Sequence, residues 1–274
     1  NEYAAHSVLA SGRWAKIRVP ETGVYRLTES VIRQAGFTNI NKVKIYGYGG
    51  NLQNESLYAS EIYANDDLKE VPQCVVNGNH LFFGKGPVSW SSRTSSRRTR
   101  NPYSDYGYYF ITQTDEAPLT VDSTEFVSSF YPSNDFYHSI HEVDGYAWYH
   151  GGRNLYDKTP IALGDSMRVV FSNTTGDANG NLTVNVSAGV RNTGVEVYLN
   201  GRKLGTQYIS FSTDYNSGGE SSSTYSIQSN LKNDTIVIKT IAGGPVRLDY
   251  VSMAWKSPKP APRLSGNLPV AQYV

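Results

Sequence analysis

Cys74 carries the only thiol in the chain and is therefore the only candidate for a cysteine nucleophile. His80 follows it six residues later, across a short turn. A catalytic cysteine needs a partly open, electropositive site with a base within hydrogen-bond reach. Cys74 stands instead in the apolar run Val71-Pro72-Gln73-Cys74-Val75-Val76, and free cysteine is among the most often buried residue types. We therefore predict a small core residue at Cys74 and no catalytic residues in this chain.

The histidines give little support for a metal site. His138 and His141 are spaced so that they share a face only on a helix, and the tyrosines, glycines and serines around them predict loop and strand. We expect these histidines, and His150 after them, to lie at the surface or between domains. Cysteine clusters that bind zinc are excluded by the single thiol.

Calcium is the one cofactor that the sequence leaves open. Asp177 and Asn179 place oxygen ligands at alternate positions, as calcium loops do, but Ala188 stands where the later bidentate glutamate is expected. A tight turn is the favoured interpretation of this segment. Asp249 is a second candidate for a structural calcium ligand, and the alternative is an outward polar residue on an alternating strand.

Sugar binding is the alternative chemistry, because exposed aromatic rings stack on sugars beside polar side chains. The ligand candidates are Trp148, Tyr149 and Tyr156. Aromatic residues on strands pack in the core or across strands more often than they form ligand platforms. A carbohydrate-binding or adhesin-type cell-surface module therefore remains the alternative hypothesis for the whole chain.

Charge argues against nucleic acid as a partner. The chain has 25 Lys and Arg against 24 Asp and Glu, which gives a formal net charge of +1. This charge is too small for sequence-independent electrostatic binding to a phosphate backbone. The arginines that cluster in the stretch 89–100 are interspersed with Ser and Thr and show no apolar period. The arginines at positions 93, 97, 98 and 100 could contact phosphate or an acidic partner, but a mobile, solvated loop is the favoured prediction.

Composition indicates an exported bacterial protein. The chain has one cysteine, a low charged fraction of 18% and many Gly, Ser, Asn and Tyr residues. No apolar run is long enough to span a membrane. The start, Asn1-Glu2-Tyr3, has neither the basic nor the apolar part of a signal peptide.

The residues discussed so far are carried by two predicted domains, which make the fold class mainly β. The first, residues 1–120, is a small α+β domain. Its strands at 14–19 and 23–27 are expected to form a hairpin, and Thr28 can cap a helix that ends at Gly36. Strands at 73–76 and 80–83 are joined by a turn with the sequence Asn77-Gly78-Asn79, typical of hairpins.

The second predicted domain, residues 121–257, is an antiparallel, jelly-roll-like β-sandwich. Turn signals at short intervals separate at least six strands, and Asn200-Gly201 favours a tight hairpin because both turn positions need positive φ. The predicted strands cover 167–171, 182–186, 195–199, 203–208, 235–240 and 246–254. Residues 258–274 begin with three prolines, and we predict a linker toward a downstream domain.

Three blocks of sequence resemble a known family. They run from Ser11-Gly12-Arg13-Trp14 through Gly23-Val24-Tyr25 to Tyr46-Gly47-Tyr48-Gly49-Gly50, from Asn101-Pro102-Tyr103 to Tyr109-Phe110, and from Tyr137-His138 to Ala147-Trp148-Tyr149-His150. In this order they resemble the N-terminal region of PorU-type proteins. These are gingipain-like cysteine peptidases of family C25 that act as sortases of the type IX secretion system in Bacteroidetes.

The resemblance implies that catalysis belongs to a different domain. In that family the catalytic His and Cys belong to a caspase-like domain downstream of such a region, and nothing in this chain matches that domain. The resemblance therefore implies a non-catalytic accessory region of an exported peptidase, located at the bacterial cell surface, the outer-membrane face or in the periplasm. Its implied partners are the downstream peptidase domain and secretion-system proteins at the outer membrane.

Overall fold

The computed structural model describes residues 3–130, 137–148, 154–173, 178–210, 218–258 and 263–274. The chain forms two compact units. The first comprises Asn1–Ser89, Thr99–Ser133 and Ala261–Val274, and the second comprises Trp90–Arg98 and Asn134–Pro260. No helix within the described ranges is long and apolar enough to span a bilayer.

Strands dominate the described part of the chain, as predicted for a mainly β protein. The helices are α1 (Glu29–Gln34), α2 (Ala59–Ala64) and α3 (Ser123–Phe130). The strands are β1 (Trp14–Val19), β2 (Gly23–Leu27), β3 (Val43–Tyr46), β4 (Glu70–Val71), β5 (Cys74–Val76), β6 (Asn79–Gly84), β7 (Val88–Trp90), β8 (Arg98–Arg100), β9 (Gly107–Gln113), β10 (His138–Glu142), β11 (Ser166–Ser172), β12 (Ala178–Ala188), β13 (Gly194–Leu199), β14 (Arg202–Tyr208), β15 (Gly219–Ser229), β16 (Asn233–Ala242), β17 (Val246–Trp255) and β18 (Gln272–Tyr273).

The first unit packs α1 against a five-stranded sheet, ordered β18-β1-β9-β3-β4, and a three-stranded sheet, ordered β2-β6-β5. The helix begins as its sequence predicts, because the Thr28 hydroxyl accepts a hydrogen bond from the Val31 amide at 3.3 Å. Val31 and Ile32 then face the core. The hairpin β5–β6 is also confirmed, with Asn77 at φ 50° and Gly78 at φ 79° in its turn.

The expected hairpin between β1 and β2 is wrong. β1 pairs with β9 and β18, whereas β2 pairs with β6 in the other sheet. Both strands bury apolar side chains, and separate sheets let each strand cover the same core. Alternation of apolar and polar residues shows that a strand has a buried face, but it does not identify the strand with which it pairs.

The predicted linker at 258–274 is wrong for the described residues 263–274, which are part of the first unit. The amide of Ala271 donates to the Arg26 carbonyl at 3.0 Å, and β18 pairs with β1. Leu268 and Ala271 are buried, with exposures of 4% and 0%. The prolines at 258, 260 and 262 precede this segment, so they do not prevent its pairing.

The second unit is an antiparallel β-sandwich, as predicted. One sheet has the order β10-β17-β12-β15 and the other β11-β16-β13-β14. Alternate apolar residues of both sheets form a single core, and Asn200 and Gly201 turn the chain between β13 and β14 with φ of 51° and 82°. The expected boundary at 120/121 is displaced, because α3 belongs to the first unit and residues 90–98 belong to the second.

Candidate functional site

Cys74 and His80 do not form a catalytic pair. Cys74 is fully buried on β5 opposite Leu81, while His80 is opposite Val75, so alternation directs the two side chains to opposite faces of the sheet. Burial raises the pKa of the Cys74 thiol, with Asp122 adding to the effect, and a nucleophilic cysteine needs a lowered pKa. The prediction of a buried core cysteine is confirmed.

The sugar-binding candidates lie in the second unit, where the structure describes two of the three. Tyr156 is 1% exposed and its hydroxyl donates to a Glu220 carboxylate oxygen, so the ring offers no open face. Trp148 is half-buried, and its indole N–H donates to the Ser187 hydroxyl at 2.8 Å. Its ring meets the Tyr146 ring edge-on at 5.2 Å between centroids. Tyr149 lies outside the described residues.

The two described calcium candidates, Asn179 and Asp249, do not share a site. Asp177 lies outside the described residues, and Asn179 is exposed on β12 opposite Gln228 of β15. Asp249 is buried on β17 and forms an ion pair with Arg98. Across the described ranges, no group of three or more His, Cys, Asp or Glu side chains is arranged to hold a metal ion.

A buried charged cluster lies in the second unit, and irregular strand pairing helps to build it. Asn185 of β12 is opposite Tyr250, but its neighbour Val186 is opposite Leu248, which leaves Asp249 as an extra residue in β17. Such a bulge turns a side chain away from the regular alternation. Glu142, the last residue of β10, is opposite Tyr250 on the adjacent strand.

Arg98 is the cation of this cluster. Its Nε and Nη2 donate to the two carboxylate oxygens of Glu142 at 3.1 and 2.7 Å, and Nη2 also donates to Asp249 Oδ1 at 2.9 Å. Its guanidinium carbon lies 4.3 Å from the centroid of the Tyr250 ring. The side chains of Glu142 and Asp249 are only 6% and 1% exposed. A planar guanidinium is therefore held by a bidentate carboxylate, a second carboxylate and an aromatic face.

The pKa of Asp249 shows the effect of its surroundings. Burial raises the pKa of Asp249 to about 7 although Arg98 opposes the shift, and the nearby carboxylates of Glu142, Glu220 and Asp144 raise it further. The second oxygen of Asp249, Oδ2, is buried and has no hydrogen-bond partner among the described residues. The arrangement is suited to holding a guanidinium group, because a buried anion without a cation is costly.

The rest of the segment Trp90–Arg98, which we call the tip, lies along the same face of the β10-β17-β12-β15 sheet. The Trp90 ring stacks on His138 at 4.0 Å between centroids, and the Ser96 and Thr183 hydroxyl oxygens are 2.7 Å apart. Two side chains of the sheet contact main-chain carbonyls of the tip. They are Asn181, whose Nδ2 donates to the Thr94 oxygen at 2.9 Å, and His138, whose Nε2 lies 2.8 Å from the Ser95 oxygen.

The prediction of a solvated loop at 89–100 is correct only in part, because residues 91–94 and 97 are exposed and outside strands, whereas the two ends of the segment are strands. The segment contributes β7 and β8, and Ser96 is 2% exposed. Arg100 pairs with Asp105 at 2.9 Å, whereas Arg93 and Arg97 are exposed as expected. Sequence reasoning missed the role of Arg98 because hydrogen bonds and ion pairs, rather than periodic apolar residues, hold the tip in place.

Comparisons with known proteins show similarity to a solved structure. No protein-family model matches the chain, and no curated protein sequence does. Among solved structures, the crystal structure of dimeric latent PorU from Porphyromonas gingivalis is similar over 92% of this chain, with a TM-score of 0.71 and 26% sequence identity. The chain is a PorU-like region. It spans 25% of that PorU chain, and the resemblance inferred from the three sequence blocks is confirmed.

Two carbohydrate-binding modules are similar to less than half of this PorU-like chain. A family 35 carbohydrate-binding module from an environmental isolate matches 45% of this chain and 91% of its own, with 16% identity and a TM-score of 0.33. The C-terminal family 6 module of LamC from Zobellia galactanivorans matches 43% and 92%, with 15% identity and a TM-score of 0.30. Similarity this low carries no argument about function.

Proposed function

We propose that this PorU-like chain is the non-catalytic accessory region of an exported cysteine peptidase of the C25 type. The observation that carries the proposal is the similarity to PorU, which extends over 92% of this chain and over 25% of the PorU chain. Its work is to pack against a downstream peptidase domain and orient it, or to bind protein partners of the secretion machinery at the outer membrane. The cell surface is the proposed location.

The side chains of the two units support this assignment. Cys74, the chain's only thiol, is buried and turned away from His80, so it cannot form a thiolate beside a base. The polar cluster around Arg98 is internally paired and contains no activated nucleophile among its described members. A β-rich scaffold without its own chemistry is suited to positioning another domain.

Association in trans tests the accessory role. The chain and the remaining part of the natural protein are produced separately and titrated by isothermal calorimetry, with an unrelated β-sandwich of similar size as the control. We expect a saturable complex with the chain and none with the control. Absence of binding when both parts are folded would argue against an orienting role.

Peptide hydrolysis tests the non-catalytic assignment. The purified chain is incubated with a mixed fluorogenic peptide library, in parallel with Cys74→Ala. We expect no hydrolysis above the buffer rate from either protein. Hydrolysis by the chain that disappears in Cys74→Ala would overturn the assignment.

Glycan binding is the second candidate function, and the half-buried Trp148 is the one described ring that supports it. A glycan array probed with the chain and with Trp148→Ala separates the two functions. Binding that is lost in the variant would favour a carbohydrate-binding module. Silence across the array would leave the accessory role as the better account.

A further inference from the structure

Asparagine followed by glycine is able to modify itself, because glycine has no side chain to keep its main-chain nitrogen away from the asparagine amide. The sequence has three such pairs, Asn77-Gly78, Asn179-Gly180 and Asn200-Gly201. We propose that Asn77-Gly78 is a site of spontaneous deamidation in the folded protein and that the fold protects the other two pairs. This inference concerns the chemistry of individual Asn-Gly pairs and does not rest on the proposed accessory role.

The reaction needs only water as a co-reactant. The main-chain nitrogen of Gly78 loses its proton to solvent and attacks Asn77 Cγ, so that a C–N bond forms. The bond from Cγ to Nδ2 breaks, and the released nitrogen takes up a proton and leaves as ammonia. Water then opens the succinimide ring at either carbonyl carbon, which gives aspartate or isoaspartate at position 77. Both products replace a neutral amide by a carboxylate.

Asn77 and Asn200 occupy hairpin turns of matching backbone conformation. The first turn joins β5 to β6 and the second joins β13 to β14. The φ angle is 50° at Asn77 and 51° at Asn200, and it is 79° at Gly78 and 82° at Gly201. Both glycines have open space where a side chain would lie. Backbone conformation and steric access therefore do not distinguish the two turns, and the surroundings of the two asparagine side chains do.

The side-chain amide of Asn200 is held at both of its polar atoms. Its Nδ2 donates to Asp234 Oδ1 at 2.9 Å, and its Oδ1 accepts from the Thr235 amide at 2.8 Å. The Asp234 carboxylate is 0% exposed, so losing a donor there is costly. Turning Cγ of Asn200 toward the Gly201 nitrogen breaks both hydrogen bonds, which raises the barrier to ring closure.

The side chain of Asn77 is not held in this way. Asn77 is exposed, and its amide forms no hydrogen bond with any residue in the described ranges. Its turn follows β5, a strand of three residues at the edge of the β2-β6-β5 sheet. Local opening at a short edge hairpin costs less free energy than global unfolding. The Asn77 side chain is therefore free to rotate toward the Gly78 nitrogen while the rest of the unit stays folded.

The pair Asn179-Gly180 is protected through its glycine. Asn179 is exposed on β12, but Gly180 is buried within the sheet, opposite Ile227 of β15 and Trp255 of β17. A Cβ at Gly180 would overlap the Ala254 carbonyl oxygen, which shows how closely the adjacent strand packs there. Strand pairing must break before the Gly180 nitrogen reaches Asn179 Cγ.

Peptide mapping of the unmodified chain tests the proposal. The protein is aged in buffer at mildly alkaline pH and sampled over time, and trypsin then places the three pairs on separate peptides, 70–85, 169–191 and 192–202. Mass spectrometry measures the conversion of Asn to Asp in each peptide, and chromatographic retention separates isoaspartate from aspartate. We expect Asn77 to convert at least about tenfold faster than Asn179 or Asn200, which corresponds to ~1.4 kcal/mol of activation free energy. Equal rates at Asn77 and Asn200 in the folded chain would overturn the proposal.

The same chain unfolded in guanidinium is the matched control. Without structure all three pairs have the same two reacting residues, so we expect them to convert at similar rates. An unfolded chain with the same order of rates as the folded chain would show that local sequence, and not the fold, selects Asn77. That result would contradict the proposal.

The variant Asn77→Gly assigns the modification within peptide 70–85, which also contains Asn79. Gly-Gly is a favoured sequence for a two-residue hairpin turn, so the variant keeps a turn that the backbone conformation allows. We expect the mass change of this peptide to disappear, and circular dichroism checks the fold. Fragment ions of peptide 70–85 from the unmodified chain make the same assignment independently of any variant. A mass change located at Asn79 would overturn the inference.

Discussion

Arg98 and Asp249 are separated by 151 positions in the chain, and the distance from Arg98 Nη2 to Asp249 Oδ1 is 2.9 Å. The pair joins the tip to the bulge of β17, and Glu142 of β10 completes it. A buried ion pair of this kind forms only where the register of β17 places Asp249 next to the Arg98 side chain of the tip. The pair therefore makes the stability of the second unit sensitive to charge.

The first prediction concerns pH. Burial raises the pKa of Asp249 from 3.8 to about 7 in the folded protein. Between those values the folded protein holds a proton that the unfolded chain releases, so this group makes the free energy of unfolding fall as pH rises. The slope is at most ~1.4 kcal/mol per pH unit, and the loss is complete above the folded pKa.

Asp249→Asn removes this dependence. In urea titrations at pH 4 and pH 8, we expect the variant to gain about 1–4 kcal/mol relative to the unmodified chain on going to the higher pH. Asp105→Asn, at a side chain 81% exposed, is the control and should show no such gain. A variant that loses stability at pH 8 would show that the ionised carboxylate of Asp249 stabilises the fold through Arg98.

Glu142 supplies the second prediction. Glu142→Ala leaves the buried Arg98 with only Asp249, and we expect the free energy of unfolding to fall by about 3 kcal/mol. Glu116→Ala breaks the pair of Lys44 with a carboxylate that is 85% exposed, and its cost should stay below about 1 kcal/mol. Equal costs in chemical denaturation would contradict the burial of the Arg98 cluster.

The C-terminal segment gives the third prediction. Leu268 is 4% exposed, so Leu268→Ala should destabilise the first unit by about 2–5 kcal/mol through lost burial and a cavity. Leu163 is 61% exposed, and Leu163→Ala should change stability by less than about 0.5 kcal/mol. If residues 263–274 were a linker, thermal unfolding would not distinguish the two variants.

Cys74 gives the fourth prediction. Its thiol is fully buried and burial raises its pKa, so a disulfide reagent should react with it only after the structure opens. We expect labelling of the native chain to be far slower than labelling in concentrated guanidinium, and to speed up as denaturant is added. Rapid labelling of the native chain at neutral pH would show an accessible thiol and reopen the question of a nucleophile.

Local signals predicted much of this fold. Thr28 caps α1, Asn77 and Asn200 adopt the positive φ of their turns, and the six expected strands of the sandwich are present. β10 and β15 were missed. In β15, Tyr225 and Ile227 are the large apolar residues among serines, so the period-two signal is faint.

The charged cluster was beyond prediction for a different reason. Arg98, Glu142 and Asp249 come from three separate strands, and no spacing along the chain relates them. Their contact depends on the bulge in β17 and on the path of the tip. β18 was missed in a similar way, because its partner β1 lies at the other end of the chain.

The natural reading frame beyond the codon for Val274 tests the central claim most directly. The account predicts a further region, longer than this chain, with alternating strands and helices and a His followed by a Cys. That result would make the chain the accessory part of a PorU-like peptidase. A stop codon close after Val274 would remove the catalytic neighbour and contradict the account.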